Sequence, residues 1–224
     1  MFEALVFDLD GTLVDSLKTH FDFFKYLCNK HGKEFALRSE KKKVVLNKPS
    51  DLRGIFREPY EEVYDMMGFY WDKYKDMIKI EYLTYMTKNI PPLILGMDSL
   101  LVKLKDNKVP LAIVTSAEKE ITEIRLRTLG IYNLFECIVA ESFVNRTMKK
   151  KPAPDMLLAC AQELGVNPRK ACYIGDQPAD MQAGAGAGMK RFAVTWGFSD
   201  YYSLQKENPD GIARNVKMLE AVLL

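Results

Sequence analysis

Histidine is scarce in this 224-residue chain, which holds only His20 and His31. A His-rich transition-metal site and a Ser-His-Asp triad are both poorly supported, so any catalysis must rest on carboxylates. The four cysteines, Cys28, Cys137, Cys160 and Cys172, form no CxxC or other zinc spacing. A chain of this size without a secretion signal is not expected to carry a disulfide framework, so reduced, structural thiols are expected. Charge of one sign is lacking too: 32 Lys+Arg against 30 Asp+Glu leave a net charge of +2. That field is too weak for whole-surface binding of nucleic acid or an anionic membrane. The longest apolar runs, such as Pro91 to Leu95, stop far short of the roughly 20 residues that a membrane span needs. The opening Met1-Phe2-Glu3-Ala4 has neither the basic nor the apolar region of a secretion signal. A cytoplasmic protein is expected, a monomer or weak homodimer, with no nucleic-acid or membrane partner.

What is present is ordinary globular material, 48% hydrophobic and 28% charged. Ala4 to Phe7 is a short continuous apolar run that stops at Asp8. Continuous rather than alternating hydrophobicity suits a strand buried on both faces, as in a parallel sheet. The pattern recurs at 110–114, 137–140, 171–174 and 191–194, with helical segments between: 99–105, 118–129, 155–164 and 181–187. Such alternation marks βαβ units and predicts an α/β fold with a doubly wound, mostly parallel sheet.

Residues 17–87 break the rhythm. They hold no convincing strand, and their apolar positions fall at helical spacing: Phe21, Phe24 and Leu27, then Val63, Met66, Met67, Tyr70 and Tyr74. We expect a helical insert over 17–87, packed on its own aromatic and methionine stripe, within an α/β core built from 1–16 and 88–224. Pro91-Pro92 marks the return to the sheet, since tandem prolines cannot continue a helix.

Four segments at predicted strand ends carry chemistry. Asp8-Leu9-Asp10-Gly11-Thr12-Leu13 places two carboxylates just past the first strand, with Gly11 able to turn the chain and bring both into one site. Thr115-Ser116 closes the second strand with hydroxyls beside a helix start, a setting that suits phosphate or a plain cap. Lys149-Lys150-Lys151-Pro152-Ala153-Pro154 puts a lysine before a rigid turn, so Lys151 is aimed more firmly than a free surface lysine. Gly175-Asp176-Gln177-Pro178-Ala179-Asp180 ends another strand with two carboxylates four residues apart. Each could be a cap alone, but all four fall on one edge of one sheet.

Asp8, Asp10, Asp176 and Asp180 together would bring four negative charges into one place, which needs cations. One Mg²⁺ and Lys151 supply three positive charges, and an oxygen-only ligand set favours Mg²⁺ over zinc or copper. A phosphate dianion can then approach a carboxylate nucleophile. This is phosphoryl transfer through an aspartyl-phosphate, governed by positioning and electrostatics.

These segments resemble, in order, the four signature motifs of the haloacid dehalogenase superfamily, and the resemblance covers the whole chain. The insert after the first motif resembles the cap of the subgroup that holds phosphoglycolate phosphatases and β-phosphoglucomutases. The resemblance implies Asp8 as nucleophile and metal ligand, and Asp10 as general acid/base and metal ligand through its carbonyl. It implies Thr115, Ser116 and Lys151 as phosphate-binding, Asp176 as metal ligand, and Asp180 as support for the metal. Asp10 argues against dehalogenation, because dehalogenases resembling this group lack that aspartate. A small phosphomonoester such as phosphoglycolate is the expected substrate. A phosphosugar mutase and an idle phospho-metabolite binder remain alternatives. His20 stands where mutases often carry a histidine, and Lys48, Arg53 and Arg57 in the insert are candidates for a second anionic group.

Gly184-Ala185-Gly186-Ala187-Gly188 looks like a nucleotide loop but fits GxGxxG badly and closes a helix rather than opening one. Gly184 and Gly186 read as close helix–sheet packing, and Gly188 as a C-terminal cap.

Overall fold

The structure is a computed structural model that describes residues 2–38, 43–55, 60–141 and 148–224. Of the basic residues in the insert, Lys41, Lys42 and Arg57 lie outside the described residues. The chain divides into two compact units, Met1–Asp15 with Pro92–Leu224, and Ser16–Pro91.

The larger unit is built on six parallel strands: β1 (Ala4–Phe7), β4 (Leu111–Glu118), β5 (Cys137–Glu141), β6 (Ala171–Gly175), β7 (Lys190–Val194) and β8 (Gly211–Ala213). Their order is β5-β4-β1-β6-β7-β8. From β1 the chain winds outward to β4 and β5, then returns to β6 on the other side of β1. The winding therefore reverses beside β1, where doubly wound sheets open a crevice at their carboxyl edge.

Both faces of the sheet are covered, which is why its strands read as unbroken apolar runs. Leu5 and Phe7 of β1 pack with α4 (Met97–Asp106) and the C-terminal helix (Val216–Leu223), while Ala4 and Val6 pack with α6 (Asp155–Leu164) and α7 (Pro178–Ala187). α5 (Lys119–Thr128) adds Leu126 to the first of these layers. All four cysteines are free and buried.

One strand departs from expectation. β4 does not end at Thr115 but runs to Glu118, with a shift of register against β5 between Thr115 and Glu118. Such a bulge bends the strand and re-aims its side chains, and the sequence gives no local sign of it.

The smaller unit holds α1 (Leu17–Lys30), α2 (Tyr60–Met66) and α3 (Trp71–Lys88). Its interior is a network of rings: Phe24 meets Tyr64 edge-on at 5.6 Å, Tyr64 stacks on Trp71 at 5.6 Å, and Phe23 meets Tyr82 at 5.3 Å. Contrary to the reading that this segment lacks strands, β2 (Ala36–Arg38) and β3 (Lys43–Val45) pair antiparallel. Three-residue strands are too short to leave an alternating pattern. Tyr70 also leaves the expected stripe, lying between α2 and α3 with 68% of its surface exposed.

Candidate active site

The carboxyl ends of β1 and β6 lie side by side. The Asp8 N–H donates to the Ile174 carbonyl at 2.8 Å, so the ladder carries Asp8 to the lip of the sheet. There the chain turns tightly, and the Leu9 carbonyl accepts from the N–H groups of Thr12, Leu13 and Val14. Gly11 makes the turn possible. Its φ is +78°, and a Cβ there would lie 2.5 Å from Asp176 Oδ2.

Asp8, Asp176 and Asp180 converge, with one carboxylate oxygen from each lying within 4.8 Å of the others, and all three are buried. Lys151 joins them. Its Nζ donates to Asp8 Oδ1 at 2.7 Å, Asp180 Oδ1 at 2.6 Å and the Tyr173 hydroxyl at 3.0 Å, which uses all three ammonium protons. Neither neighbour in the lysine triplet does this: Lys150 pairs with Glu141 at 2.8 Å, and Lys149 is exposed. The Lys151–Pro152 peptide is cis.

Asp180 does two jobs at once. Its Oδ2 accepts the N–H groups of Asp176 and Gln177 at the start of α7, while Oδ1 meets Lys151 and Tyr173. Gly175 is needed beneath it, since a Cβ there would overlap the Asp180 side chain. Asp176 accepts from the Thr12 hydroxyl at 3.2 Å on Oδ1 and from the Phe198 N–H at 2.6 Å on Oδ2. A Cβ on Gly197 would overlap Asp176 in turn. Three glycines thus leave room for two carboxylates.

The electrostatics follow from burial. Asp8 is pushed up to about 7, by burial first and then by Asp180 and Asp10, with Lys151 opposing. Burial, then Asp180 and Asp8, hold Asp176 well above the ordinary carboxylate range. Burial works against the Lys151 charge, but Asp180 and Asp8 outweigh it and keep the ammonium firmly protonated. Burial also keeps the Tyr173 hydroxyl neutral. Ionised together, three carboxylates against one lysine would leave two surplus negative charges, a surplus that adds to burial in raising Asp8 and Asp176. A hard divalent cation fits this all-oxygen group.

The structure does not bring Asp10 into that group. Nη1 of Arg125 lies 3.0 Å from both of its carboxylate oxygens. The four-carboxylate cluster expected from the sequence is therefore three carboxylates, and the fourth is compensated separately. Thr115 is buried and its hydroxyl accepts from the Ala117 N–H at 3.1 Å, whereas Ser116 is exposed at the bulge of β4. In the smaller unit Lys48 and Arg53 flank a 3-10 turn at Pro49–Leu52 and are exposed. His20 is buried, with Nδ1 2.9 Å from the Ser16 carbonyl and Nε2 3.4 Å from the Tyr82 hydroxyl. The carbonyl can only accept, so Nδ1 carries the proton.

Sequence reasoning missed Tyr173, Arg125, Thr12 and the loop Trp196-Gly197-Phe198. Signals existed. Tyr173 puts a hydroxyl inside an apolar strand, where it needs a partner. Arg125 stands four residues after Ile121, on the buried face of α5. The loop follows β7 at the same sheet edge, and the Trp196 indole donates to the Thr12 carbonyl at 3.1 Å.

Of the glycines after the fourth motif, Gly184 packs as expected: a Cβ there would lie 2.8 Å from Arg191 Cγ on β7 and 3.6 Å from Tyr173 Cβ on β6. Gly186 instead faces Pro154, whose Cβ and Cγ would lie 3.3 Å away, so it approaches the Lys151 turn rather than the sheet. Gly188, at φ +74°, caps α7.

Comparison with known proteins gives the family. Residues 5–194 match the family model for haloacid dehalogenase-like hydrolases. A phosphoglycolate phosphatase of Aquifex aeolicus is 29% identical over 210 residues, covering 92% of this chain and 90% of that protein. The fructose-1-phosphate phosphatase YqaB of Escherichia coli is 28% identical over 201 residues, covering 84% of this chain and 94% of its own length. Among solved structures, the haloacid dehalogenase-like family protein SP0104 of Streptococcus pneumoniae has the same fold, with a TM-score of 0.78 at 24% identity, covering 99% of this chain and 98% of that one. The chain belongs to the haloacid dehalogenase-like hydrolases and is one of their phosphatases.

Proposed function

We propose that this phosphatase is Mg²⁺-dependent and hydrolyses a small, phosphoglycolate-like phosphomonoester through an aspartyl-phosphate on Asp8. The observation that carries this reading is the buried contact of Asp8 with Lys151, beside Asp176 and Asp180. Asp8, Asp176 and the Asp10 carbonyl would hold the ion, with Asp180 in support. When bound, the ion neutralises charge on the carboxylates and on phosphate oxygens.

The protein's own part is positioning. Asp8 attacks phosphorus as the bond to the departing oxygen breaks, and Asp10, entering this step protonated, gives that oxygen its proton and is left as the carboxylate. Asp10 then takes a proton from the water that attacks the aspartyl-phosphate and releases phosphate. Lys151 and the hydroxyls of Thr115 and Ser116 bind the phosphoryl oxygens. Lys48, Arg53, Arg57 and His20 are the candidates for contact with the rest of the substrate.

Burst kinetics test the two aspartates. Asp8→Asn should abolish turnover of every phosphomonoester, by at least roughly 10³-fold. Asp10→Asn should give a burst of p-nitrophenolate, up to one equivalent per site, then a steady state about 10²- to 10⁴-fold slow. With an alkyl ester it should give no burst, because an alkoxide needs the proton and p-nitrophenolate does not. A burst from Asp8→Asn would overturn the assignment. A hexose 1-phosphate that is isomerised rather than hydrolysed would make the enzyme a mutase.

A further inference from the structure

The Arg125 guanidinium is wholly buried, with 0% of its side chain exposed, while Asp10 keeps 18%. Stripping water from an arginine is costly, and a leucine would pack on that face of α5 without that cost. Arg125 sits among Ile121, Thr122 and Leu126, which are also buried. Its Nη1 is equidistant from both oxygens of Asp10, at 3.0 Å. This contact fixes the carboxylate's rotation as well as its place, and it holds Asp10 apart from the Asp8, Asp176 and Asp180 group.

We infer that Arg125 is a positioning residue for catalysis, setting where the Asp10 carboxylate stands. The inference rests on the reading of Asp10 as the group that serves the departing oxygen and the attacking water. The contact through which Arg125 acts is the one with the Asp10 carboxylate. A carboxylate displaced by about 1 Å can cost on the order of 10²-fold in rate.

The experiment compares Arg125→Met and Arg125→Lys in the wild-type and Asp10→Asn backgrounds, with p-nitrophenyl phosphate and an alkyl phosphate. Arg125→Met should slow alkyl-ester turnover about tenfold to a hundredfold through kcat, with KM little changed. Its p-nitrophenolate burst should keep both amplitude and rate, since that step needs no proton from Asp10, while the following steady state slows. In the Asp10→Asn background the same change should cost nothing further. Arg125→Lys, which keeps the charge but not the guanidinium geometry, should fall between wild type and Arg125→Met.

A burst slowed as much as alkyl turnover, or a loss that multiplies onto Asp10→Asn, would overturn the inference and leave Arg125 a structural residue. If Arg125→Met yields no folded protein, Arg125→Lys decides by the same split between burst and steady state. Failure of the underlying reading looks different: Asp10→Asn alone would then treat both esters alike.

Discussion

In the α/β unit the deeply buried polar side chains include Asp8, Glu118, Arg125, Asp176 and Asp180, all at or near one edge of the sheet. In the helical unit, among the described residues, they are Ser16 and His20, and the interior is otherwise apolar and aromatic. Burying rings stabilises a fold, and a tyrosine asks only that its hydroxyl find a partner. Burying like charges does the opposite unless a lysine, a cation or a set of N–H donors is supplied in place. One interior is arranged for stability, and the other tolerates instability for the sake of chemistry.

The sharpest way to break this contrast is to remove Lys151 from the cluster. Lys151→Ala should lower kcat/KM by about 10²- to 10³-fold, whereas Lys149→Ala and Lys150→Ala should cost less than about threefold. Equal losses across the triplet, measured by steady-state kinetics, would reduce Lys151 to part of a diffuse basic patch. Next comes space. Gly197→Ala drives a methyl into Asp176 and should weaken Mg²⁺ activation by about tenfold to a hundredfold. A magnesium titration of activity reads this directly.

In the helical unit the corresponding damage is thermal. Tyr64→Ala opens the ring network and should cost about 3 to 5 kcal/mol in denaturant unfolding, while the burst rate and Mg²⁺ dependence of the folded enzyme stay within about twofold. The subtlest effect is on pH. Asp8 is raised from 3.8 to about 7, so the fold binds a proton there that the unfolded chain gives up. Stability that depends on this group is therefore lost as pH rises through about 7 and gained as pH falls toward 4, opposite to an ordinary paired aspartate. In EDTA the Tm should rise between pH 8 and about 5, and Asp8→Asn should remove that part of the slope.

The legibility of the sequence followed the same division. The apolar runs of β1, β4, β5, β6 and β7 could be read because both faces of each strand are covered. The fold class, and the sheet edge that gathers Asp8, Lys151, Asp176 and Asp180, came with them. What could not be read depended on distant partners. The direction of Asp10 is set by Arg125, 115 residues away, and Asp176 is held by Phe198 from a loop with no motif of its own. The pairing of β2 with β3 and the bulge of β4 were invisible for another reason: pairing makes them, and their composition does not announce it.

The close approach of Gly186 to Pro154 ties two stretches of chain that read as separate motifs. One carries Lys151 and the other carries Asp180, and their side chains meet at 2.6 Å. With helix α7 seated against the lysine turn, neither group can be displaced alone. Substitutions at 154 and 186 are then linked in volume: a bulkier residue at one is tolerable only with a slighter one at the other. The lysine and the aspartate behave as two jaws of one fixed clamp, whose gap is set near the C-terminal end of the helix while the chemistry lies at its start.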